Sequence, residues 1–152
     1  MSEQLLYDIG KTDGQAYAEL VIDAVTDNLW TVQSFIDERL EEAGCPMKVQ
    51  LQIELAAEEI FVNIADYAYP SDEGMAKVCV ALSDDKKTAY IVFVDNGIQY
   101  DPLSKEDPDV TLSAHDRPIG GLGIYVTKQI MDEVSYEYRD GCNILKLMKH
   151  IA

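Results

Sequence analysis

Basic residues are scarce in this sequence. Twelve Lys and Arg stand against 28 Asp and Glu, a formal net charge of −16. A surface with that excess repels phosphate backbones and anionic lipids, which argues against nucleic-acid and membrane partners. A nucleotide is still admissible if local cations, backbone N–H groups and a divalent metal offset the field. Cysteine is scarce too. Cys45, Cys79 and Cys142 are odd in number and form no CxxC pair, so neither a disulfide framework nor a zinc ribbon is expected. No run approaches the ~18 apolar residues of a membrane span. The opening MSEQLLYDIG has no basic and no apolar signal-peptide region. The expected setting is therefore reducing and cytoplasmic. A Walker A loop, a complete dinucleotide fingerprint and a GxSxG elbow are missing as well.

What remains is an ordinary globular composition. The 152 residues are 47% apolar and 26% charged, which predicts one domain over 1–152. Residues 1–14 read as either an extra strand or a loose arm. Ala16 to Ile22 alternates like a strand. Thr26-Asp27 offers an N-cap for a helix near 28–43, with Leu29, Val32, Ile36 and Leu40 at helical spacing and Gly44 as its C-cap. Pro46 suits the first turn of a second helix, which runs from Lys48 to Ala68 and is stopped by Pro70. Strands are expected at 76–82 and 88–94, around the turn Ser83–Lys87. A helix follows at 124–133, and then two strands around Asp140-Gly141. Such an order, without βαβ alternation, predicts an α+β fold: a two-layer α/β sandwich with a mostly antiparallel sheet and helices on one face. Residues 98–119 hold three prolines and no periodicity, as a lid or binding loop does.

Three segments could carry chemistry. Glu59 and Asn63 lie four residues apart on the second helix, so they project the same way. A lone pair of this kind is usually a solvated face, yet Ile60, Phe61, Val62 and Ile64 surround it. Glu can act as a base, and the Asn carbonyl oxygen is a hard ligand suited to Mg²⁺. Asp95-Asn96-Gly97 ends a strand. An Asn-Gly hairpin would need another strand at once, and none follows, so the segment reads as a strand end opening a pocket. Gly120-Gly121-Leu122-Gly123 precedes a helix. It reads as an anion site or as a flexible joint. Trp30 reads as a packing or interface anchor, and Cys79, between two valines, as packing.

Taken in order, these segments resemble the GHKL superfamily of ATP-binding domains (the Bergerat fold). Within it the chain most resembles the bacterial anti-sigma factor serine-protein kinases. The resemblance rests on E-x-x-x-N, Asp95-Asn96-Gly97 with Asp101-Pro102, GGLGIYV, and the closing G-x-N-x-L-x-L-x-K from Gly141 to Lys149. It implies ATP and Mg²⁺ as cofactors, with Asn63 as the Mg²⁺ ligand and Glu59 as the catalytic base. It also implies an ATP-binding set of Asn63, Asp66, Tyr67, Asp95, Gly97, Arg117, Gly120, Gly121, Leu122 and Gly123, with 98–119 as the ATP lid. In this set Asp95 accepts from the adenine amino group and Arg117 offsets γ-phosphate charge. Two departures stand out. Tyr67 occupies the position where this branch usually has His, and Cys142–Lys149 shows no counterpart of the usual Thr. The implied activity is phosphorylation of a STAS-type anti-anti-sigma partner by a homodimer that also binds a sigma factor. The alternative is a non-catalytic ATP-binding module that sequesters its partner.

Overall fold

A computed structural model describes residues 16–71, 73–104 and 122–152. Residues 1–14 and most of the expected lid, 105–119, lie outside the described residues. Among the described residues five strands form one sheet: β1 (Ala16–Asp23), β2 (Met75–Leu82), β3 (Thr88–Asp95), β4 (Glu133–Arg139) and β5 (Cys142–His150). Their spatial order is β1-β2-β3-β5-β4, and every pairing among them is antiparallel. Among the described residues three α-helices accompany it: α1 (Leu29–Glu42), α2 (Met47–Asn63) and α3 (Leu122–Ile130).

The period of two splits the strands into faces. Val78, Val80, Ile91, Phe93 and Leu147 point to the helices and pack in one cluster with Val32, Ile36, Leu40, Ile53 and Ile60. The alternate residues Cys79, Val92, Val94, Cys142 and Ile144 form a separate small cluster on the other face. Cys79 is thus a packing residue. Expectation and structure agree on the α+β class and on the helical layer.

Four local details differ from expectation. Thr26–Asn28 is a 3-10 turn that makes no side-chain cap. Asn28 instead precedes α1 and its side-chain amide donates to the Asp23 carbonyl at 2.9 Å. Pro46 is extended and precedes the first turn of α2 rather than lying in it. Trp30 is 77% exposed, which removes the packing reading and leaves the interface one. The second helix stops being α-helical at Asn63, and Ile64–Ala68 is a π-helical turn. Nothing in the composition of IADYA marks that change, because these residues suit an α-helix nearly as well. Gly44 does close α1 in the left-handed region (φ +74°), where the Cys45 N–H bonds the Leu40 carbonyl and the Gly44 N–H the Glu41 carbonyl.

The seam between α1 and α2 carries polar groups. Gln33 Nε2 donates to the Glu54 carbonyl and Gln50 Nε2 to Glu41 Oε1, so the helices run antiparallel. Asp37 faces Glu54 across the seam, with Oδ1 buried and unpartnered. Burial first, then the contact with Glu54, pushes the Asp37 carboxyl up to about 7. Folding therefore favours its protonated form. The stabilisation is complete below the ordinary carboxylate pKa and is lost as pH rises through about 7. Asp37→Asn supplies an uncharged donor to Glu54. We expect it to raise the melting temperature at pH 8 by roughly 3 °C after solvent screening, and to change it little at pH 5. Melting curves across that range check this. An equal shift at both ends would remove the Asp37 titration from the account.

Candidate functional site

A cavity of about 690 Å³ lies between the sheet and the helical layer. That is within the size range of small-molecule and cofactor pockets. Glu59, Asn63, Asp66, Tyr67, Asp95 and Gly123 all line it. Groups from positions 59 to 123 in the chain therefore meet in one place.

At one end lies the pair from α2. Asn63 Nδ2 donates to Glu59 Oε1 at 3.2 Å, which turns the amide so that its carbonyl oxygen is the atom left for another partner. The Glu59 carboxylate lies directly against the first turn of α3. A methyl group built on Gly123 would land on its carboxyl carbon and both oxygens. Glycine at this position is therefore what allows α3 to approach the acid. The α3 N-terminus carries partial positive charge, so the end of the cavity that holds Glu59 also suits an anion. The π-helical turn begins immediately after Asn63. Its wider winding brings Asp66 and Tyr67, both exposed, to the cavity rim. Such turns occur frequently at functional sites.

At the other end lies Asp95, 5% exposed at the close of an apolar strand. Its Oδ1 accepts from the Gly97 N–H and from Asn143 Nδ2, both at 2.9 Å. The described residues place no hydrogen bond on Oδ2. Burial pushes the Asp95 carboxyl up, and the two hydrogen bonds act against that rise. The result is a buried acceptor, oriented on one side and open on the other.

Sequence reasoning counted Asn143 in the closing G-x-N motif but gave it no role at the site. It lies opposite Asp95 in the β3–β5 register and is 7% exposed. Its Nδ2 also donates to the Ile98 carbonyl at 2.8 Å. Its Oδ1 accepts from the Tyr100 N–H at 3.0 Å and from the Tyr136 hydroxyl at 2.6 Å. All four hydrogen-bonding positions of this amide are thus filled. Asn143 ties β3, the chain leaving it and β4 into one cavity floor. It stands in the terminal strand, where the sequence showed no threonine. The available signal was a single polar residue in an otherwise apolar strand start, CNIL.

At Gly97 the fold leaves no room for a side chain. A methyl group there would run into the Ala68 carbonyl oxygen, and the Ile98 N–H donates to that same oxygen at 3.0 Å. Gly97 lets the chain leaving β3 dock on the π-helical turn, and it borders a smaller hollow beside Tyr69 rather than the main cavity. Tyr69 secures this junction. Its hydroxyl bonds the Met75 carbonyl and the Asn96 side chain and accepts from the Asn96 N–H, and burial pushes it up to about 12. Leu122 is the first residue of α3. Arg117, Gly120 and Gly121 lie outside the described residues.

One end of the cavity thus offers an acceptor in an apolar slot to a flat polar ring, and the other offers a helix N-terminus to an anion. That division of labour defines the class of nucleotide-binding domains. Residues 22–149 match the model of the histidine kinase-like ATPase domain, and the chain belongs to that family. Among named relatives, the serine/threonine-protein kinase BtrW of Bordetella bronchiseptica is 30% identical over 69% of this chain and 73% of its own length. The serine-protein kinase RsbW of Bacillus cereus is 29% identical over 61% of this chain, a match spanning 59% of the RsbW length. The solved structure of the RsbU and RsbW domains of a Mycobacterium tuberculosis protein superposes with a TM-score of 0.64. It covers 90% of this chain and 32% of that one at 18% identity, which bears on the fold.

Proposed function

We propose that this chain is an ATP-dependent serine-protein kinase of the anti-sigma factor type. Its substrate is a serine hydroxyl of a STAS-type anti-anti-sigma protein, and it also holds a sigma factor, works in the cytoplasm and forms a homodimer. The observation that carries the reading is the contact of Glu59 with Gly123. It puts a carboxylate, steadied by Asn63, at the end of the cavity that suits phosphate. The named kinases BtrW and RsbW support it from the side of kinship.

The geometry supports the following division of roles. Asp95 accepts from the adenine amino group through Oδ2, and Asn143 holds Asp95 in place. The α3 N-terminus faces the phosphates. Glu59 accepts the serine proton while the serine oxygen takes the γ-phosphoryl group and ADP leaves with the pair from the broken P–O bond. The donor set fits Mg²⁺, because Asn63 offers one hard oxygen and phosphates with water complete such a site. No group of three His, Cys, Asp or Glu among the described residues competes for the ion. When bound, Mg²⁺ supplies charge neutralisation on the phosphates.

The test uses purified protein, γ-labelled Mg-ATP and STAS-type partners. Millimolar Mg-ATP is expected to raise the melting temperature by roughly 5–10 °C, and label should appear on a partner serine. A full thermal shift with no label on any partner would leave a binding module in place of a kinase.

A further inference from the structure

Met47, Leu51 and Leu55 follow one another at intervals of four residues along α2, and they are 62%, 55% and 51% exposed. Three large apolar side chains in one line on water are unusual for a single helix face. The next two residues on the same line are Glu59 and Asn63. Each step turns ~40° about the axis, so the line winds from the open face of α2 into the nucleotide cavity. Leu55 stands one turn, about 6 Å along the axis, before Glu59. The antiparallel seam sets the first turn of α1 alongside, with Trp30 in line with Asp37 and Glu41.

We infer that this ridge docks an amphipathic helix of the protein substrate, one with leucine-like residues on one side and Lys or Arg along its edges. The inference rests on the kinase reading above. The ridge is continuous with the site that such a substrate must reach. A row spaced by four residues is the shape that packs into the groove of a facing helix. Its borders are anionic: Glu41 and Glu54 lie along the seam and Glu58 is exposed between Leu55 and Val62, against one basic residue in α2, Lys48. Those acids select a cationic edge. They also oppose a second copy of this chain on this face, which would bring the same acids to the contact.

The substitution Leu51→Ser with Leu55→Ser tests the ridge without changing charge. The probe is a fluorescein-labelled peptide of about 18 residues, leucines on one face and lysines on the other, read by anisotropy near physiological salt. The double variant is expected to bind it roughly tenfold or more weakly than the wild type, while a scrambled peptide of the same composition binds both proteins poorly. Its Mg-ATP melting shift should equal that of the wild type. Transfer of label to a STAS partner should then fall through a higher KM with kcat retained. Equal peptide binding by both proteins would overturn the proposal, since charge alone would then explain the association. A wild-type dimer that becomes a monomer in the double variant would overturn it too, because the ridge would then be a self-association surface. Weaker peptide binding by the variant, with no label on any partner even from the wild type, would support the docking surface and sink the kinase reading.

Discussion

Glu59→Gln should sharply slow phosphoryl transfer while leaving nucleotide binding almost intact. Gln matches Glu in shape, so the close contact with Gly123 survives, and its amide can still bond Asn63. What disappears is the ability to take up the hydroxyl proton. Removing a positioned base typically costs 10²–10⁴-fold in rate, and the lower part of that range fits a reaction governed by positioning. The rate of label transfer is therefore expected to fall by about two orders of magnitude or more, with the Mg-ATP melting shift within about a degree of the wild type. Transfer at the wild-type rate would mean that Glu59 is not the base. A lost thermal shift would mean that it holds the nucleotide instead.

The two ends of the cavity were legible in the sequence to different degrees. Glu59 and Asn63 could be paired from spacing alone, because helix geometry is local and four residues fix a shared direction. Asp95 could be placed at a strand end because the apolar alternation stops beside it. The packing of α3 on Glu59 could be suspected only from an unexplained run of glycines, since the contact spans 64 residues and depends on the missing Cβ. The role of Asn143 was not legible, although the closing motif contains the residue. Its importance comes from four partners on two separate pieces of chain, Asp95 to Tyr100 and Tyr136, and no local pattern records a cross-strand network. Gly97 could be read as part of a strand end opening a pocket, but its own contact could not. The close approach it permits is to the Ala68 carbonyl, which only the fold brings there. The π-helical turn escaped notice because a change of winding leaves the helix-forming composition untouched. It is also the feature that puts Asp66 and Tyr67 at the rim.

Asn143→Asp is expected to weaken ATP binding by roughly two to three orders of magnitude at pH 8, the cost of replacing a buried donor by a second carboxylate beside the first. The change alters one atom and no volume, so packing cannot account for a loss. It removes the donor to Asp95 Oδ1 and to the Ile98 carbonyl, and it sets a second carboxylate within hydrogen-bonding distance of the first. Burial already pushes the Asp95 carboxyl up, and the new charge pushes it further. One proton shared between the two groups restores the missing donor, so the defect should shrink as pH falls. In calorimetric titrations the ratio of variant to wild-type Kd is expected to narrow roughly tenfold between pH 8 and pH 5.5, since each pKa unit of coupling is worth about that factor. A purely structural role would lower affinity without that pH dependence. The same variant tests the adenine assignment. ATP and ADP should lose affinity in equal proportion, because both present the same ring to Asp95, whereas a group acting at the phosphate end would penalise them differently.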